Sequence, residues 1–271
     1  ASHKKDLADL QTEYKLRLQH RFDVRWLDPP AIKNHFGFHA PGAILSADAG
    51  EVDAYLLTHA LLRAAEQKGH RVFSNTTISD IRHEKRGVTL HTKNDLTIKA
   101  KKLIIACGYE SLKYVPKTIA SVHTTYALVT EPIDSRQLWH RNSLVWETAR
   151  PYLYFRIVSG NRILIGGKDD TFHNPAIRDS RLKRKTQMLL HSFSQKMKQI
   201  PVRPDFCWAG AFVVTKDGLP YIGSIPDRPH TWFALGYGGN GITFSAIAAE
   251  IIRDLVTGKK NSNASLFTFN R

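Results

Sequence analysis

The residues best suited to chemistry lie near the carboxyl end. Gly236-Tyr237-Gly238-Gly239-Asn240-Gly241 has the spacing G-x-G-x-x-G, between the strand-like run TWFAL (231–235) and a helical pattern over 242–256. Glycines let a backbone approach a ligand closely, and the free N–H groups of a following helix favour negative charge. A complete dinucleotide fingerprint opens a strand–helix–strand unit and has an acid about 20 residues further on. Here the helical pattern ends near Gly258, and no strong second strand follows it. The loop therefore reads as an anion or cofactor contact, with a tight turn and close helix–sheet packing as the alternative.

Other candidate chemistry is thin. No Cys or His pair has zinc spacing, and neither H-E-x-x-H nor a P-loop is present. The 13 histidines are dispersed. Cys107 falls in an apolar run and reads as packing, while Cys207 has no sequence neighbour that would activate it. The stretch WAGAFVVTKDGLPYIG (208–223) carries an Asp217-Gly218 turn and reads as a hairpin.

The elements that must position the loop follow from periodicity. Leu7, Leu10, Tyr14 and Leu18 predict a helix over 2–20, and the Pro- and Gly-rich stretch 21–50 reads as loop with a short strand. Val52, Leu56, Ala60, Leu61 and Ala64 predict a helix over 51–68 stopped by Gly69, with a short strand RVF (71–73) after it. Residues 87–99 read as a hairpin. Leu103 to Gly108 is a continuous apolar run of the kind expected in a parallel strand buried on both faces. From 121 to 166, longer alternating segments predict antiparallel strands, with Ser159-Gly160-Asn161 as a turn, before a helix over 176–198.

Composition bounds the class. The 271 residues are 42% hydrophobic and 23% charged, which excludes a disordered or collagen-like chain and leaves room for a real core. No run approaches the roughly 18 to 20 apolar residues of a membrane span, and the first residues lack the apolar centre of a secretory signal. Two cysteines fit a reducing compartment, so a cytoplasmic location is expected. The formal charge of +15 permits an anionic partner. Its densest run, RDSRLKRK from Arg178 to Lys185, opens an amphipathic helix and reads as a solvated face. A docking surface for tRNA or anionic lipid is the alternative.

Four segments together resemble the D-amino-acid oxidase superfamily of FAD-dependent oxidoreductases, which includes glycine oxidase, sarcosine oxidase and the amine oxidases. They are GEVDAYLLTHALLRAAEQKGHRVFSNTTISDI, LIIACGYES, WAGAFVVTKDGLPYIG and FALGYGGNGITFSAIAAEIIRDLVTG, spread over about 38–258. The resemblance implies an α/β (mixed α+β) fold: a partial Rossmann-like FAD-binding domain with an inserted antiparallel-sheet substrate domain. The implied division is 1–37 helix and linker, 38–120 with 205–258 FAD-binding, 121–204 substrate domain and 259–271 tail. It implies FAD contacts at Thr77, Ile78, Ala106, Cys107, Gly108, Gly236, Gly238, Gly239, Asn240, Gly241 and Ile242. It implies oxidation of a C–N bond in an amine or amino acid, with the flavin carrying the chemistry. Substrate contacts would come from Phe212, Arg156, Tyr154 and Tyr237.

This sequence departs from the family pattern in two ways. The family's amino-terminal fingerprint and its ribose-binding acid are absent, so the chain is expected to be a carboxy-terminal portion, weak in FAD binding and inactive alone. An exposed apolar sheet edge, open to self-association, is expected for the same reason. Where glycine oxidase-like members tend to carry an Arg after W-A-G-x, this sequence has Phe212, which disfavours a simple α-amino acid held by that clamp. Arg156 is the candidate substitute, with an exposed strand Arg as the alternative. The second functional class is a non-catalytic or tRNA-associated module of the same fold that uses its basic surface.

Overall fold

The computed structural model describes residues 1–115, 119–172 and 174–271. In chain order its elements are α1 (Leu7–Gln19), β1 (Val24–Leu27), α2 (Pro29–Phe36), β2 (Ala43–Ser46), α3 (Ala54–Gln67), β3 (Ile78–Glu84), β4 (Gly87–Thr92), β5 (Thr97–Ala100) and β6 (Leu103–Ile105). There follow β7 (Ala120–Thr130), β8 (Val145–Trp146), β9 (Leu153–Val158), β10 (Arg162–Asp170), α4 (Pro175–Lys196), β11 (Pro204–Thr215), β12 (Tyr221–Ser224), β13 (Thr231–Leu235) and α5 (Gly241–Val256). The chain divides into two compact units, 1–51 with 123–211 and 52–122 with 212–271.

The first unit is built on a sheet of order β11-β7-β10-β9-β8. Strands β9 and β10 form the expected antiparallel pair across the Gly160 turn, with Phe155 opposite Ile165. Alternation sends Leu153, Phe155, Ile157, Ile163 and Ile165 to one face, where they meet Leu189, Phe193 and Met197 from α4 and its end. Each fully buried side chain of this kind contributes about 1.5–3 kcal/mol. The opposite face carries Tyr154 and Arg156, half-buried.

Two expectations for this unit need correction. Residues 21–50 are not mainly loop, because β1 and β2 pair antiparallel and α2 lies between them. Asp28 caps α2 by accepting from the Ala31 N–H, and proline stands in its first turn, where a missing N–H costs nothing. Leu27, Ile32 and Phe36 from this segment are buried in the core of the unit. The basic run is not wholly a solvated face either. Lys185 is only 5% exposed and points inward to Asp170 at 2.8 Å.

The second unit holds two three-stranded sheets, β3-β4-β5 and β12-β13-β6. The 87–99 hairpin forms as β4 and β5, and β3 adds a strand to it. Strands β6 and β13 run parallel, with Ile105 opposite Phe233, while β12 is antiparallel to β13. Helix α5 packs Ala248, Ile251 and Ile252 against Ile222 and Ala234. From the last residues, Phe267 and Phe269 are buried in this unit.

Here too the structure corrects particular expectations. The RVF segment is not a strand. Strand β6 is an edge strand rather than one buried on both faces, and Ile104 is 49% exposed. Cys107 lies beyond the end of β6 and is exposed, so it is not core packing. The Asp217-Gly218 turn forms, but β11 and β12 pair in different sheets rather than with each other. Helix α3 forms where expected, yet none of its side chains is buried, and Leu56 and Leu61 are exposed.

Candidate functional site

Ligands of open α/β sheets bind beyond the carboxyl ends of the parallel strands. In the second unit, the parallel pairing of β6 with β13 sets two glycine-containing turns side by side at that end. They are Ala106-Cys107-Gly108 after β6 and Gly236 to Gly241 after β13. Apolar pairing between the strands thus brings together segments about 130 residues apart in the chain.

The second turn has a defined shape. Gly236 has φ of +83°, and a Cβ there would meet Thr215 Cγ2 at 2.7 Å, so glycine is required both by backbone and by space. The Gly238 N–H donates to the Val213 carbonyl at 3.0 Å, and the Asn240 N–H donates to the Tyr237 carbonyl at 3.1 Å. The Tyr237 ring packs beside Phe244 in the α5 cluster, and burial pushes its hydroxyl up to about 12. Asn240 is the residue before α5, and its side chain does not cap the helix. Gly239 and Asn240 are exposed, and so is Ile242 in the first turn.

The first turn is held by Ser111. Its Oγ accepts from the Cys107 N–H at 3.2 Å and lies 3.4 Å from the Cys107 Sγ. Thr77 and Ile78 stand at the start of β3 in the other sheet of this unit, with Ile78 opposite Thr92. Phe212 is half-buried in β11.

In the first unit, Tyr154 and Arg156 share the sheet face away from α4. Arg156 is engaged by Glu51 at 3.1 Å, so its guanidinium is already paired with a carboxylate. Burial, followed by the negative charge of Asp169, raises the Tyr154 hydroxyl. Tyr152 lies beside it, with ring centroids 6.0 Å apart. The Tyr152 hydroxyl lies within the field of Asp169, and burial, then the Asp169 charge, raises its pKa strongly. Asp169 Oδ1 is buried and has no hydrogen-bond partner.

Neither Asp169 nor Tyr152 stands out in the sequence reading. The available signal was the Gly166-Gly167 doublet inside a strand, which marks a bulge or a close approach of groups. Among the described residues, no group of three or more His, Cys, Asp and Glu could hold a metal ion. Nor is any helix among them long and apolar enough to cross a membrane.

Comparison with known proteins gives a consistent answer. Glycine oxidase of Geobacillus kaustophilus is 29% identical over 228 residues, covering 82% of this chain and 57% of its own length. Gamma-glutamylputrescine oxidoreductase of Escherichia coli is 26% identical over 80% of this chain and 50% of its own length. The chain thus spans about half the length of these relatives. The crystal structure of Geobacillus kaustophilus glycine oxidase superposes with a TM-score of 0.84 at 23% identity, over all of this chain and 73% of that one. L-Proline dehydrogenase from P. horikoshii gives 0.82 at 15% identity, over 98% of this chain and 73% of that one. These neighbours share the mixed α/β fold expected from the strand and helix pattern. The family model described as FAD dependent oxidoreductase matches residues 1–255, and the chain belongs to that family, DAO.

Proposed function

We propose that this chain serves the FAD-dependent oxidation of a C–N bond in an amine or amino acid. The observation that carries the reading is the pair of glycine turns placed together by β6 and β13, in a chain of the DAO family. The residues present fit the cofactor. A Cβ built on Gly108, Gly238, Gly239 or Gly241 meets no atom within 4 Å, so each turn leaves open space against its backbone. Gly236 to Ile242 would hold the cofactor along one turn and helix start, and Ala106 to Gly108 along the other. Thr77 and Ile78 would supply a further contact. When bound, FAD supplies the two-electron oxidation.

What the chain itself contributes is positioning. Uncapped N–H groups at the start of α5 favour negative charge near them. The packing of Tyr237 on Phe244 fixes the turn that presents those groups. Phe212 and Tyr237 are separate candidates in the second unit, while in the first unit Tyr154 and Arg156 belong to the proposed substrate-facing surface. Arg156 orients Glu51 there rather than waiting for a carboxylate.

The test is to denature the purified intact protein, measure released FAD by absorbance, and assay ammonia or aldehyde formed from a panel of amines and amino acids. Released FAD at one equivalent and product from at least one panel member are expected. Absence of flavin together with absence of product would refute the proposal.

A further inference from the structure

We propose that Asp169, Tyr152 and Tyr154 form a binding site for an organic ammonium ion. The inference deepens the proposed oxidation by naming its substrate class, an alkylamine recognised through its positive charge, and in that respect rests on it.

Regular alternation from Gly166 would send Asp169 toward α4 and Asp170 to the tyrosine face. The structure shows the reverse. Between Gly167 and Asp170 the pairing with β7 shifts register, so that three steps on β10 match two on β7. Gly167 and Lys168 both have positive φ, +123° and +55°. This bulge turns Asp170 to the α4 side, where it is bonded by Tyr126 at 2.9 Å, Lys185 at 2.8 Å and Arg181 at 3.2 Å. Asp169 is turned to the side of Tyr152 and Tyr154. Bulges commonly re-aim a side chain beside a functional site.

The two carboxylates then differ in one respect. Asp170 is fully engaged, whereas Asp169 has a buried oxygen with no partner. A buried carboxylate oxygen left unsatisfied is costly, and a cation brought by a ligand offsets that cost. Among the described residues, no lysine or arginine forms an ion pair with Asp169. Arg156 pairs with Glu51. Arg150 lies over the Tyr152 ring at 5.2 Å and donates to the Ala149 carbonyl. Lys185 and Arg181 are committed to Asp170. Among the described residues, Lys168 makes no ion pair with Asp169.

The surroundings select the kind of cation. Hard metal ions need six or more oxygen ligands or a carboxylate cluster, and no such cluster occurs among the described residues. Two tyrosine rings beside a single carboxylate suit an ammonium carried on an apolar chain, through ring faces and one charge-assisted hydrogen bond. Gly166 fits the same picture, because a Cβ there would run into the Tyr154 hydroxyl and Cζ, each at 2.2 Å. Its absence lets the hydroxyl end of Tyr154 approach the β10 backbone closely. With Arg156 already neutralised, this face favours the ammonium group over a carboxylate.

The experiment is calorimetric titration of the intact protein with n-butylammonium chloride, with sodium butyrate and n-butanol as controls, repeated on Asp169→Asn. Butylammonium is expected to bind while butyrate and butanol do not. Asp169→Asn should weaken binding about tenfold or more, the size of a charge-assisted hydrogen bond. If that variant does not fold, Tyr152→Leu is titrated instead, and a several-fold loss is expected from the missing ring. Absence of butylammonium binding, or equal binding by the folded variant, overturns the site. Flavin content and turnover are read separately. Binding that depends on Asp169, without flavin or turnover, would remove the oxidation reading and leave the site standing.

Discussion

Replacing Gly239 by valine separates a ligand-facing glycine from a structural one. A Cβ at Gly239 meets nothing within 4 Å, and its φ lies outside the left-handed region. Valine there should change the stability of the flavin-free protein by no more than about 0.5 kcal/mol. The same valine would stand between the backbone and a bound cofactor. Loss of one charge-assisted hydrogen bond costs about 1.5–3 kcal/mol, which is about 10- to 100-fold in Kd. Gly236→Val is the contrasting change. Its φ of +83° costs about 1–2 kcal/mol for an L-residue, and the contact with Thr215 adds about 1–3 kcal/mol of overpacking. Urea unfolding of the flavin-free intact protein and fluorescence titration with FAD read the two effects apart. Gly239→Val should keep its midpoint and lose FAD affinity, while Gly236→Val should lose its midpoint. Unchanged FAD affinity in a folded Gly239→Val protein would refute the placement of the cofactor against this turn.

Two further outcomes follow from charged groups. Lys185→Ala should destabilise the protein by about 3 kcal/mol, because it leaves Asp170 without its buried cation; the double change Lys185→Met, Asp170→Leu should recover most of this in urea unfolding. Asp217 is held down to about 2, first by the Arg271 side-chain hydrogen bonds. Its folded pKa lies below the unfolded value near 3.8, so its stabilisation is present above that value and is lost as pH falls toward 2. Asp217→Asn should flatten the acid limb of the stability curve in that window and change little at pH 7, as expected for a surface pair.

The glycine turn after β13 was legible as a turn because its signals are local. An apolar run, a cluster of glycines and a helical period stand in sequence at 231–256, and β13, the turn and α5 form there. The β9–β10 pair was legible for the same reason. What escaped was decided by distant partners or by ambiguous punctuation. Asp28-Pro29-Pro30 reads as loop, yet aspartate followed by proline is also the start of a helix, and α2 begins there. The Asp217-Gly218 turn was visible, but no turn states which sheet its strands join. The inward course of Lys185 depends on Asp170, 15 positions away and on another element. The unpartnered oxygen of Asp169 depends on a bulge that periodicity cannot show.

That bulge has a consequence for how relatives are compared. Two neighbouring residues of one type hold different stations only because the strand carries one residue more than its partner. A sequence alignment that misplaces its gap by a single column there exchanges them, and conservation scored at either position would then describe the other. The determinant is Gly167, which carries no charge. Its φ of +123° is closed to side chains, and a Cβ would run into the Tyr152 carbonyl. Any side chain introduced there presses the strand toward regular pairing and, with it, toward a swap of the two carboxylates. The charge map of this sheet is therefore inherited through a backbone angle, and a family member lacking that glycine should not be assumed to keep it.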